Sequence, residues 1–214
     1  MEQKKTFSID EAVKFSWEQF KARPWLIIAY FLVLYLASTV PSFAADFFPE
    51  ASLIFWALIL VGILLSFVVA VGITRFTLNI ADKKEPTWHD AFADHTLWWK
   101  ALLGSILYQL IVFAGILLLV VPGIIWAVKY SQFLFVLVDE KNIGPVEALR
   151  RSGQITSGAK GMLVLFWVVF TLINVVGLLA IFVGLLVTVP MTYIAQAHVY
   201  RLLASQTPKS VASK

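Results

Sequence analysis

The chain of 214 residues has no cysteine. Disulfides, thiolate metal sites and cysteine nucleophiles are therefore excluded, and nothing can be inferred about redox compartment. Charge is scarce as well: Asp, Glu, Lys and Arg make up 14% of the chain, against 60% hydrophobic residues and a mean hydropathy of +0.84. The scarcity is concentrated. Gly161 to Tyr200 is a run of forty residues without a charged side chain, and a second run, from Ala101 to Val128, stops at Lys129. Forty helical residues span ~60 Å, twice the hydrocarbon thickness of a bilayer, so the longer run is a pair of membrane-spanning helices. Also missing are a Gly-x-Ser-x-Gly elbow, a P-loop and any pair of carboxylates inside a span. No polar stretch exceeds about 25 residues, which leaves residues 1–214 as a single membrane domain.

What remains divides into six spans: Trp25 to about Phe43, Ala51 to Thr74, Ala101 to Val121, Ile124 to Val138, and two within Gly161–Tyr200 that turn between Gly177 and Gly184. Pro41, Asp46, Pro49 and Glu50 mark the first loop, and Pro122-Gly123 is a turn pair expected to stop the third span. Ser42-Phe43-Ala44 has the small-x-small form of a signal cleavage site. The 24 residues before the apolar stretch mix Asp10, Glu11 and Glu18 with lysines, which argues against that reading.

Sixteen of the seventeen Lys and Arg residues fall on one side of these spans; the exception is Lys129. The positive-inside rule makes that side cytoplasmic, with both termini inside a bacterial-type inner membrane. Trp25, Trp98 and Trp99 fall at inner span ends and Trp56 and Trp126 near outer ones, as in an aromatic belt. The net charge of +4 suits a membrane protein facing anionic lipid. The basic residues are spread along interfaces instead of gathered on one soluble face, so nucleic acid is not implied.

A weak internal repeat organises the spans. Ser8-Ile9-Asp10-Glu11-Ala12, Thr87-Trp88-His89-Asp90-Ala91 and Gly144-Pro145-Val146-Glu147-Ala148 each open a short segment before a pair of spans. The first two fit a capping box or its Asp variant, and the third places proline at the first helical position. Ile9, Val13, Trp17 and Phe20 give the first segment an apolar stripe, the pattern of a helix lying in the membrane interface. Asp82-Lys83-Lys84 and Asp139-Glu140-Lys141 stand 57 residues apart, as do Asp90-Ala91 and Glu147-Ala148. The pattern predicts an all-α integral membrane fold of six transmembrane helices in three tandem parallel hairpins. A cytoplasmic interfacial amphipathic helix precedes each hairpin, giving pseudo-repeats of about 8–82, 87–141 and 144–204. The alternative is that cytoplasmic loops are capped and amphipathic without being repeats. Parallel units differ from the inverted repeats of many secondary transporters. A Pro-x-acid-x-x-base match to the mitochondrial carrier signature occurs once, at Pro145 to Arg150, and opens an interfacial helix instead of kinking a span.

Val120-Val121-Pro122-Gly123-Ile124-Ile125-Trp126, then Val136-Leu137-Val138-Asp139-Glu140 and Ala148-Leu149-Arg150-Arg151-Ser152, form a pattern of their own. It resembles the YciC-like inner-membrane proteins and the membrane domain attached to some glycerophosphodiester phosphodiesterases. The resemblance covers roughly Val120 to Arg201. It implies a multi-spanning, non-catalytic membrane domain; no phosphodiesterase catalytic domain accompanies it here.

Lys129 is the sharpest candidate functional residue. A lysine deep in a span costs ~2.5–3.5 kcal/mol on insertion scales and is a functional hypothesis by default. Asn174, Gln109 and Tyr108 are its candidate partners in an intramembrane polar site; the alternative is that the lysine snorkels to the outer surface. Asn174 also suits helix packing, and Gly62, Ser66 and Ala70 have the small-xxx-small spacing of close helix contact. Arg150, Arg151 and Lys160, with Lys21 and Arg23, are candidate contacts for anionic lipid headgroups, with Glu147 pairing Arg150 or Arg151. His89-Asp90-Ala91-Phe92-Ala93-Asp94-His95 lacks ligand-focusing spacing, so no metal and no cofactor are expected. The leading expectation is a non-enzymatic protein acting by association with lipids or a membrane-protein partner. A small transporter or channel using Lys129, Asn174 and Gln109 is the competitor, and a membrane-embedded enzyme comes third. Convergence of those three residues on one cavity would favour transport; separate neighbours would favour association.

Overall fold

The computed structural model describes residues 5–88, 95–140, 142–180 and 183–208. Among them the regular structure is helical throughout: α1 (Ile9–Ala22), α2 (Pro24–Ala45), α3 (Leu53–Ala81), α4 (His95–Leu118), α5 (Val120–Tyr130), α6 (Phe133–Asp139), α7 (Pro145–Thr156), α8 (Lys160–Leu179) and α9 (Leu185–Ser205). Five segments are long and apolar enough to cross a membrane: α2, α3, Thr96–Leu118 within α4, Val120–Asp139 spanning α5 and α6, and α8. Their outer faces are strongly apolar. Leu103, Leu110, Phe113 and Leu117 of α4 and Leu165, Leu172 and Val176 of α8 are exposed, as hydrocarbon solvent allows.

The most enclosed of the long helices is α9, which packs against α1, α2, α3, α7 and α8. Gln196, Ala197, Val199, Tyr200 and Leu203 are among its buried residues. A helix sheathed in protein need not match lipid, which is why α9 can carry Gln196, His198 and Arg201 and falls below the hydropathy of the other five.

Adjacent helices fold back on each other through small residues. The third span ends at Leu118 instead of Val121, and Leu119 alone, in extended conformation, makes the turn. Pro122 then sits in the first turn of α5, where an amide would have no intrahelical acceptor and its absence costs nothing. A Cβ on Gly115 would meet the Gly123 Cα at 2.9 Å, and one on Gly123 would meet the Ile116 nitrogen at 2.8 Å. The α8–α9 turn repeats the device, since a Cβ on Gly184 would come within 2.6 Å of the Gly177 Cα. Gly62 of α3 packs on Ser42 of α2, whereas Ser66 is exposed and donates to its own helix at the Ile63 carbonyl, 2.6 Å away.

The Ser8 hydroxyl caps α1, accepting from the Glu11 amide at 3.3 Å. The buried face of α1 runs through Ala12, Ser16 and Phe20 against α9, and Trp17 stands exposed at its edge instead of in the stripe. Gly144 and Pro145 open α7 as the spacing anticipates. In the middle opening, His89-Asp90-Ala91 lies outside the described residues, as do Phe92 to Asp94 of the His/Asp cluster. At the end of α3 the Lys84 amide reaches the Asn79 carbonyl at 2.8 Å and the Lys83 amide reaches Ile80 at 3.0 Å. This closing motif puts Lys83 at φ 57°, a left-handed conformation usually given to glycine.

Candidate functional site

The span Val120–Asp139 is broken at Ser131-Gln132, between α5 and α6. A break frees backbone groups, and in hydrocarbon each unsatisfied one costs several kcal/mol, so protein must supply partners. Helix α7 does so. The Lys129 carbonyl accepts from the Ser152 hydroxyl at 3.1 Å and the Thr156 hydroxyl at 2.9 Å, while the Gln132 amide donates to Ser152 at 3.1 Å. Ser152 and Thr156 are fully buried. Helix α7 is thus docked on the break by its polar face as well as by Ala148 and Ile155.

The Lys129 side chain turns toward α7, not toward the far surface. A Cβ on Gly153 would meet its Cε at 3.0 Å, so the missing side chain of that glycine is what makes room for the lysine stem. The ammonium lies 4.9 Å from the centre of the Tyr130 ring and, among the described residues, has no carboxylate partner. It borders a groove of about 520 Å³ whose walls are Leu107 and Ile111 of α4 and Val146 and Leu149 of α7, with Arg150 and Gln154 alongside. Arg150 presents Nε and Nη2 to Glu147 Oε1 at 3.2 and 2.8 Å.

The other candidates lie elsewhere. Tyr108 donates to the Ala127 carbonyl at 3.3 Å and lines a different groove, with Trp167 and Thr171. Asn174 donates to the Phe170 carbonyl at 2.8 Å and the Thr192 hydroxyl at 2.9 Å, joining α8 to α9, and its Oδ1 is buried without a partner. Gln109 is exposed on α4. Lys129, Asn174, Gln109 and Tyr108 therefore do not share a cavity.

The basic residues separate too. Arg151 is 4% exposed and spends its guanidinium on Glu140, Gln154 and the Pro208 carbonyl, so it is closed to a headgroup. Glu147 pairs with Arg150, leaving Arg151 to Glu140. Lys160 opens α8 half-buried, Lys21 lies 5.5 Å from the centre of the Trp17 ring, and Arg23 meets Glu85 at 2.8 Å.

Two polar features escaped the sequence reading. Arg201 of α9 lies 2.7 Å from Asp82 Oδ1 and donates to Asp139 Oδ2 at 2.6 Å, and Tyr200 donates to the same Asp139 oxygen at 2.9 Å. Two acids 57 residues apart thus share one arginine. The second feature is Lys5, whose ammonium caps the end of α7 at the Gln154 and Ile155 carbonyls, 2.5 and 3.2 Å away. Acids closing otherwise apolar spans were a usable signal for the first; a lysine before α1 gave none for the second.

No family model matches the chain, and no solved structure matches it. It is similar to the Mycobacterium tuberculosis protein named Uncharacterized protein Rv2560 and to the Mycobacterium bovis Uncharacterized protein Mb2590, each 29% identical over 133 residues. The match covers 62% of this chain and 40% of either relative, so the chain spans well under half of the curated proteins it resembles.

Proposed function

We propose that this is a non-catalytic, multi-pass membrane protein that works by association with lipids or with a membrane-protein partner. The observation that carries the reading is the divergence of its intramembrane polar residues. Lys129 goes to α7, Asn174 to α9 and Gln109 to the surface of α4, so the polar path a small transporter would use is dispersed. In this reading α9 is a sixth crossing, the hairpins α2–α3, α4–α5/α6 and α8–α9 are three units of one repeat, and both termini are cytoplasmic in an inner membrane. The basic-residue asymmetry supports that orientation, and a reporter fused at Asp46 that proved cytoplasmic would sink it. The likeness to YciC-like proteins and phosphodiesterase membrane domains is part of the same proposal. Native mass spectrometry of the protein released gently from its own membrane tests it: a stoichiometric protein or selectively retained lipid is expected, and a bare monomer would count against association.

A further inference from the structure

Lys129 differs from its neighbouring cations in what surrounds it. Arg150 and Arg151, on the helix it faces, each meet a carboxylate. Lys129 leaves a span half-buried and finds, among the described residues, only an aromatic face. Arg150 lines the same groove, and Glu147 occupies its Nε–Nη2 edge. Two cations against one carboxylate leave the groove with a surplus positive charge. Its walls are nonetheless aliphatic, from Leu107 and Ile111 on one side to Val146 and Leu149 on the other. A small soluble anion would satisfy the charge and leave those walls wet; an apolar molecule would cover the walls and leave the charge bare.

We propose that the groove binds the phosphate of an anionic phospholipid, with Lys129 and Arg150 as its cationic donors, Gln154 as a neutral one, and the first methylenes of the acyl chains lying along Leu107 and Ile111. Charge-assisted hydrogen bonds to phosphate suit this pair: a compact ammonium on one side and a planar guanidinium edge on the other. The volume of about 520 Å³ accommodates a headgroup and the start of its tails. A bound lipid would also bridge α5 to α7, the two helices that the Lys129 carbonyl already joins through Ser152 and Thr156. The inference rests on the lipid-associating reading above, which places this end of the bundle at the anionic cytoplasmic leaflet.

The test is native mass spectrometry of the full chain from nanodiscs of mixed phosphatidylglycerol and phosphatidylcholine, with inorganic phosphate added in a parallel arm. The wild type should retain phosphatidylglycerol selectively. Retention should fall by about tenfold or more in Lys129→Gln/Arg150→Gln, the scale of two charge-assisted hydrogen bonds, and stay unchanged in Lys14→Gln, whose ammonium is paired with Asp10 on α1. Arg150→Gln alone, on the exposed side of α7, should show a smaller loss and serves if the Lys129 variant does not fold. Glu147→Gln should raise retention by freeing the second guanidinium edge. Equal retention by the wild type and the double variant would overturn the proposal. So would release of the lipid by millimolar inorganic phosphate, which would make the groove a site for a soluble anion. A wild type that keeps no phosphatidylglycerol here, yet carries a stoichiometric protein or lipid when released from its own membrane, would overturn this site alone; a bare monomer in both would overturn the association reading as well.

Discussion

The two ends of the bundle are held together by different chemistry. At the turns between α4 and α5 and between α8 and α9, contact is backbone on backbone, made possible by Gly115, Gly123, Gly177 and Gly184. At the opposite end, where α3, α6 and α9 finish, contact is ionic: Arg201 between Asp82 and Asp139, Arg151 on Glu140, Lys5 over the last carbonyls of α7. Hydrocarbon gives no hydrophobic drive for helix association, so the turn end relies on close van der Waals approach. The ionic end has polar groups to bury and does so by pairing them. One end tolerates no added atom; the other tolerates no removed charge.

The largest expected effect is at the ionic end. Arg201→Leu strips Asp139 of its cation and leaves Asp82 only the exposed Lys84, and should destabilise the fold by about 3 kcal/mol. Thermal unfolding in detergent reads the loss, and Arg201→Leu with Asp139→Asn should recover part of it. At the turn end, Gly184→Val should cost about 2 kcal/mol by forcing α8 and α9 apart, measured the same way. If both variants unfold alike to wild type, the contrast between the ends is wrong. Thr156→Val removes one of two donors to the Lys129 carbonyl and should cost about 1 kcal/mol, visible as faster hydrogen exchange or proteolysis of α7. Smallest, and of opposite sign, Lys83→Gly should stabilise by up to about 1 kcal/mol by relieving a left-handed lysine, raising the unfolding temperature slightly.

The spans were legible because burial in lipid is a local demand: each stretch of α2, α3, α4 and α8 states it in its own composition. So were the Ser8 cap and the Gly144-Pro145 helix start, which depend on residues within one turn. The break at Ser131-Gln132 was not legible, because it exists only where Ser152 and Thr156 of another helix cap it. Arg151 read as a headgroup contact and is buried, since two adjacent arginines on a helix point to different surroundings that the sequence does not distinguish. Lys129 stood out as a lone charge in an apolar run, but its direction depends on the side chain Gly153 lacks. Pro122-Gly123 read as a stop and is a start, because proline fits the first turn of a helix as readily as it ends one.

The Arg201 clasp also sets an order of events during synthesis. Asp82 is made 119 residues before the arginine that neutralises it, and Asp139 is made 62 residues before. While the chain is still emerging, Asp139 waits for its cation and Asp82 has only the exposed Lys84, 3.3 Å away, so no charge yet joins α3 to α6. Arrival of α9 delivers the cation and the most enclosed of the long helices in one step. Assembly of the bundle is therefore completed from its last helix inward, with Arg201 as the latch that closes it.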